Sequence, residues 1–441
     1  MPKFRPLIIV ALLATLAAPG FAQFKLTPLR VAVRNTQRVR WRQLSFLVVA
    51  DWQKRTKEHH VTLVDEHITV DGAIKERVIK RLRKLKRVRS ISAADSPLSD
   101  DGLGQLVKLS QVQRLDISGT DVTVDGLKQL ATMKSLTHLS LANVDVSASV
   151  VGELAKGLSK LQSLDLSSDS VDDKVLAQLP QVARLAELKM ESAGVTDNGL
   201  AHLTKCKSLK RLAVNGTGVT SKGMSHLAKM NGLRIVDLSD TKVGDDGVAK
   251  ISSLKLVGLN LEICSQVSTK ALPAIGKMKT LRGLVLKKTG FEKIKLRGSG
   301  FTHLKDLQKL ELLDLYAVGV TNASLAHLVP LKSLRSLNIA CTTTTDGATV
   351  HIAKMKQLRS LVIDFQVGFG GPKIGDTGAK RLAALTELRT LNLIANPVTD
   401  ATLAELQKLT KLRRLRLIDT KVTKAGIASF KKAVPKCVVE F

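Results

Sequence analysis

"LKRLAVNGTGVTSKGMSHLAKM", Leu209 to Met230, carries two periodicities in succession. Its first half, "LKRLAVNG", alternates apolar and polar residues, the period-two pattern of a short strand with one face buried. Its second half sets Met224, Leu227 and Met230 at helical spacing. Thr220 stands ahead of them, with a hydroxyl suited to accept from an orphan backbone N–H at a helix start. The stretch therefore predicts a strand, a tight turn and a short helix.

The same unit recurs down the chain as L-x-x-L-x-L. Its middle apolar residue falls at Ile91, Leu115, Leu139, Leu164, Leu188, Leu212, Val236, Leu259, Leu284, Leu313, Leu337, Leu361, Leu391 and Leu415. Eleven of the thirteen intervals are 23 to 25 residues, and the other two are 29 and 30. Caps equivalent to Thr220 are expected at Ser99, Thr123, Thr196, Ser268, Thr321, Thr399 and Thr423. Three residues after the last apolar strand position runs a small polar column of Thr120, Thr217, Thr241, Cys264, Thr289, Thr342, Asn396 and Thr420. Such side chains can bond to backbone exposed in a tight turn. One unit cannot bury its apolar face alone, so the units must stack. The fold class is α/β, a solenoid with a parallel sheet on the concave face and short helices on the convex face.

"LRIVDLSDTKVGDDGVAKI", "LAELKMESAGVTDNGLAHL" and "LRTLNLIANPVTDATLAEL" resemble leucine-rich repeats. The subtype is similar to the cysteine-containing, ribonuclease-inhibitor-like class, with "LVGLNLEICSQVSTKAL" placing Cys264 at that family's Cys position. The ending "FKKAVPKCVVEF" looks like a tail of secreted bacterial members. The resemblance covers residues 61 to 441 and implies a binding scaffold, with a protein as the partner. It is specific for fold and weakly specific for function.

The chain opens "MPKFRPLIIVALLATLAAPGFAQ". Lys3 and Arg5 precede an apolar run, Leu7 to Ala18, too short to span a bilayer comfortably, and small Gly20 and Ala22 fit a cleavage site. This reads as a signal peptide of residues 1–22 cut after Ala22, giving a secreted or periplasmic protein with no transmembrane segment in the mature chain. Residues 23–60 lie outside the repeat register and read as a basic cap or a partly disordered segment. Residues 61–433 hold about 14–15 repeats, and residues 434–441 supply a C-terminal cap strand.

The formal net charge is +31, from 69 Lys and Arg against 38 Asp and Glu. Between Lys25 and Arg89, 18 basic residues face 6 acidic ones, a net of +12. Such a field attracts polyanions. Export disfavours nucleic acid as the partner, and so does the scarcity of aromatics for base stacking, with Tyr316 the single tyrosine. "IKERVIKRLRKLKRVR" holds nine Lys and Arg, with Ile74, Val78, Ile79, Leu82 and Leu85 at helical spacing. It reads as the first repeat's helix, charges outward.

A second basic feature is periodic. The residue after the first Leu of the strand motif is Lys210, Arg234, Arg282, Arg335, Arg359, Arg389 and Arg413. Stacking sets these on one line along an edge of the sheet, where they either keep loops soluble or bind an acidic polymer. The concave column Asp116, Ser140, Asp165, Lys189, Ala213, Asp237, Asn260, Val285, Asp314, Asn338, Val362, Asn392 and Arg416 contains no aromatic residue. Arg416, and Tyr316 two residues beyond Asp314, are the residue types that anchor protein interfaces. The Asp and Asn of this column read as solvated strand residues.

No catalytic motif of the G-x-S-x-G, H-E-x-x-H or Walker type occurs, and no cofactor is implied. Cys206 fills the apolar slot held elsewhere by Met133, Met230, Met278 and Met355. Cys264 and Cys341 lie three repeats apart, about 14 Å at the strand spacing, too far for a disulfide. The cysteines are therefore expected to be packed singly, and their spacing fits no zinc site. His202 and His226 are expected to be neighbours on stacked helices, too few to form a metal site. The glycine-rich "VGFGGPKIGDTGAKRL" lacks the strand–loop–helix spacing of a phosphate loop. Its surplus residues, with those of "KTGFEKIKLRGSGF", define two inserted loops, Lys287–Phe301 and Asp364–Lys373, expected to frame a binding edge. The function expected is a non-enzymatic, exported scaffold that binds protein through the concave face and loop edge. The alternatives are recognition of an acidic polysaccharide or anionic envelope surface through the basic ridge, and a substrate-adaptor role of the kind the repeat family also serves.

Overall fold

The computed structural model describes residues 59–289, 298–364 and 373–441. These residues form one parallel sheet of sixteen strands paired in strict chain order, from β1 (His59–Thr62) to β16 (Val438–Glu440). The central strand residues of the fourteen units stand in register, Leu212 opposite Leu188 and Val236, and Leu391 opposite Leu361 and Leu415. β1 pairs with the first unit's strand and β16 with the last, so each end of the stack carries one further strand.

One hydrophobic core runs through the stack. In the unit around Leu212, the strand contributes Leu209, Leu212 and Val214, the turn Val219 and the helical half Met224, Leu227 and Met230. Most helical segments are short, at 3 to 10 residues, because each repeat has room for only one or two turns between strands. The first repeat's helix spans Glu76–Lys84, with Ile79 and Leu82 buried and Val78 packed against the core. Leu85, expected on its apolar face, sits at the helix end and is exposed, because the backbone leaves helical geometry there.

Two residues after the last inward apolar position, the chain enters the left-handed region. Asp95, Asn143, Ser192, Asp240, Ile263, Lys288, Ala317, Cys341, Ala395 and Asp419 all have φ between 51 and 61°, and Gly119 and Gly216 occupy the same slot. Left-handed backbone costs a non-glycine residue roughly 1–2 kcal/mol. The turn recovers a backbone bond for it: Asp240 N–H reaches Glu262 O at 2.7 Å, and Ile263 N–H reaches Lys287 O at 2.9 Å. The parallel ladder thus continues into the turn.

The polar column closes each turn. Thr120, Thr217, Thr241, Thr342 and Thr420 donate their hydroxyls to the carbonyl three residues back at 2.6–2.7 Å, and Cys264 Sγ lies 3.1 Å from Leu238 O in the preceding repeat. Thr123, Thr196, Ser268, Thr399 and Thr423 cap their helices as expected. Thr220 accepts from Lys222 N at 3.1 Å and Thr321 from Ser324 N at 3.3 Å. Ser99 does not cap: its hydroxyl is turned back to donate to Asp71 O.

A second bond joins six of these caps to the neighbouring repeat. Asp173 at the start of one helix accepts both the N–H and the hydroxyl of Thr196, the next repeat's cap, at 2.8 and 2.6 Å. Asp100–Thr123, Asp197–Thr220, Asp245–Ser268, Asp376–Thr399 and Asp400–Thr423 repeat the pattern. In four of these pairs the residue three after the cap is a glycine, Gly126, Gly199, Gly223 or Gly426, which leaves space for that carboxylate, whereas Ala271 and Thr402 stand there in the other two. A methyl group at Gly199 would run into Asp173 Oδ1.

Candidate functional site

Two surfaces carry the sequence-expected residues. The first is the edge where the strands begin. Here each backbone N–H bonds to the carbonyl one repeat back. Arg234 follows Lys210, and Arg359, Arg389 and Arg413 follow Arg335, each bond at 2.8 Å. Parallel strands lie about 4.8 Å apart, so Arg335, Arg359, Arg389 and Arg413 form an uninterrupted row, one per strand. Arg282 stands apart from both groups, separated by Val257 on one side and Glu311 on the other. Glu311 takes it up in an ion pair at 3.2 Å.

The guanidinium groups do more than keep the loops in solution. Arg234 Nη1 donates to Asn231 O and Leu233 O at 2.9 and 2.7 Å, Arg335 Nη1 to Lys332 O at 2.9 Å, and Arg413 Nη1 to Leu412 O at 2.9 Å. They satisfy carbonyls in the turn that leads into the strand. Arg89 begins the same column and bonds Lys86 O at 2.8 Å. Its strand motif begins with Val88 instead of Leu, so the Leu-Arg periodicity does not reach it. Arg359 and Arg389 are exposed, and their guanidinium groups make no hydrogen bond or ion pair among the described residues. Lys210 is also exposed.

The second surface is the concave face. The expected column is in register from Asp116 through Arg416, but its Asp and Asn are not simply solvated strand residues. Asp237, Asn260 and Asn392 are buried. Their side chains, with those of Asp116, Asp165, Asp314 and Asn338, accept the backbone N–H two residues ahead at 2.9–3.2 Å. Each is an Asx turn that satisfies the strand's last free donor. Asn260 Nδ2 also donates to Asp237 Oδ2 at 2.9 Å, linking neighbouring repeats. Burial raises the Asp237 carboxyl to about 6, with Ser239 and Asn260 opposing the rise, and burial also pushes up Asp314 and Asp364.

Two residues beyond this column, just past the end of each strand, lies a row of which only Tyr316 stood out in the sequence. It runs Glu262, Lys287, Tyr316, Ala340 and Asp364. Lys287 Nζ is 3.3 Å from Glu262 Oε1 and 4.9 Å from the centre of the Tyr316 ring, and Lys288 Nζ lies 5.8 Å from the same ring. The period-24 alignment that found the Asp/Asn column would have exposed this row as well. Arg416, the other expected anchor, is engaged by Glu440 of the last strand at 2.7 Å, and Glu440 also holds Arg414 at 3.6 Å.

All four cysteines are buried and unbridged. Desolvation pushes the thiols of Cys206 and Cys437 up to about 11 and that of Cys264 up to about 12. Among the described residues no group of three or more His, Cys, Asp or Glu is placed to hold a metal, and His202 and His226 are half-buried on successive helices. No described helix is long and apolar enough to cross a membrane. Residues 1–22, read from the sequence as a signal peptide, most of residues 23–60 and the interiors of the two inserted loops lie outside the described residues. The first loop is shorter than expected. Gly298–Leu304 is a helical turn of the next repeat, and Phe301 is a fully buried core residue.

A family model described as Leucine Rich repeat matches residues 231–252, one full unit of the stack. The fold is a leucine-rich-repeat solenoid. A leucine-rich-repeat protein of Leptospira interrogans has a similar structure, with a TM-score of 0.51 at 18% identity over 88% of this chain and 97% of that one. An internalin of Listeria monocytogenes gives 0.44 at 16% identity over 82% and 88%, and the mouse RP105/MD-1 complex gives 0.49 at 14% over 79% and 70%. No curated protein matches the chain. The leucine-rich-repeat architecture accounts for the open sheet, with its single sequential strand order and outward rows of side chains.

Proposed function

We propose that this chain is an exported, non-enzymatic scaffold that binds a protein partner through the concave face of its sheet. The observation that carries the reading is the row Glu262, Lys287 and Tyr316. It presents the chain's single tyrosine half-exposed, with two lysine ammoniums against its ring, on a broad sheet surface. A rigid aromatic beside cations is the composition of an interface anchor, and a sheet of sixteen strands offers area suited to a macromolecule. The apolar run after Lys3 and Arg5 supports export. The two inserted loops, which follow the row residues Lys287 and Asp364 in the sequence, are proposed to border the contact.

The test is capture from cell-envelope extract by the full chain, washed at low and high salt and compared with Tyr316→Ala and Lys287→Ala. A bound protein retained at high salt by the parent chain and lost with Tyr316→Ala supports the reading. Retention by both variants refutes it.

A further inference from the structure

The edge row offers a second binding surface, independent of the concave face. Arg335, Arg359, Arg389 and Arg413 stand on four successive strands, about 4.8 Å apart. Lys332 and Lys356 flank the row in the turns just before it, and both are exposed. Glu387, beside the row, is already engaged by Lys411, whose ammonium, with Arg359 and Arg389 nearby, holds that carboxyl below its ordinary range. Glu311, one strand back, is taken up by Arg282. Six cations thus line one edge, and Glu387 and Glu311 are each ion-paired to a further cation, Lys411 and Arg282.

We infer that this edge binds a linear acidic polysaccharide carrying about one carboxylate per sugar. A sugar unit and a strand spacing are similar in length, so successive carboxylates can meet successive guanidiniums. Arginine's planar fork pairs a carboxylate through two bonds. Arg335 and Arg413 have part of their donor set tied to turn carbonyls, which fixes their direction, while Arg359 and Arg389 keep theirs open. A nucleic acid fits less well because the row has no aromatic for bases to stack on. A lipid surface fits less well because none of the exposed large apolar residues, Val64, Val70, Leu85, Ile263, Val350, Ile418, Val438 and Phe441, belongs to the row.

The test is direct binding of the full chain to polygalacturonate oligomers, with duplex DNA and phosphatidylglycerol vesicles as parallel probes. Arg359→Gln/Arg389→Gln removes two cations that hold no structural bond, so the fold is retained, and Arg81→Gln/Arg83→Gln removes two exposed cations from the first repeat's helix as a control. At least a tenfold loss of polygalacturonate affinity in the row variant, with the control within twofold of the parent, supports the inference. Arg359→Lys/Arg389→Lys should recover only part of the loss. An unchanged row variant, an equal loss in the control, or tighter row-dependent binding of DNA or vesicles would overturn it.

Discussion

Asp173 reaches across one repeat to take both the N–H and the hydroxyl of Thr196, at 2.8 and 2.6 Å, while Thr196 caps its own helix. The V-T-D-x-G-L signature is therefore one device read twice. The threonine caps locally, the aspartate grips the next threonine, and the glycine makes room for the incoming aspartate. Asp173→Ala should cost about 1–2 kcal/mol by leaving two donors without this partner. Gly199→Ala should cost about 1–3 kcal/mol by crowding the carboxylate. Denaturant unfolding of both single variants and the double should show a total well below the sum, since removing the carboxylate removes the clash. Strict additivity would mean that the glycine serves some other purpose.

Ile263 is a β-branched residue at φ 61°, with its side chain 42% exposed. The strain has little packing to set against it. Ile263→Gly should raise stability by roughly 1 kcal/mol, read from the urea midpoint. Leu261→Ala, two residues earlier and fully buried, should instead cost about 2–5 kcal/mol.

The repeat period made the strands of the fourteen units and their core legible in the sequence, because a 24-residue spacing leaves only one way to stack; β1 (His59–Thr62) precedes that register and was not legible from it. The caps were legible from the repeat register, which placed Ser or Thr at the helix starts. Ser99 broke the rule through a contact with Asp71, 28 residues away, which no local pattern reports. The Asp/Asn column was legible as a row, but its role was not. Whether a strand Asp faces water or its own backbone depends on how far the sheet's neighbours bury it. The arginine row was likewise visible, while its division into carbonyl-holding Arg335 and Arg413 and open Arg359 and Arg389 depends on rotamers.

Asp237 gives a signed dependence on pH. Its carboxyl is raised to about 6 in the folded chain against an ordinary 3.8, so the folded state holds the proton more tightly than the unfolded state does. Stability should therefore rise as pH falls from 7 through 6 and level off near 4, by on the order of 3 kcal/mol from this group. Asp314 and Asp364 add in the same direction. Asp125 and Asp400, held low by Lys128 and Thr423, act oppositely, so stability should fall again below about 3.8. Denaturation at pH 7, 5 and 3 checks the sequence of changes, and Asp237→Asn should flatten the step between 7 and 5.

The four thiols should be silent in the native state. Cys264, pushed up to about 12 by burial, is protonated at any physiological pH, and neither it nor the others form a bridge. A thiol reagent at pH 8 should label none of the four in the folded chain and all four in denaturant. Fast labelling of the native chain would show that the repeats open locally.

Binding through the concave face is the central claim, and position-specific crosslinking tests it most directly. A photoreactive phenylalanine analogue placed at position 316 on the concave face, or at 226 on a convex-side helix, would be irradiated in the presence of captured partner. A crosslinked product is expected from position 316 and none from 226. A product from 226 alone, or equal yields from both, would contradict it.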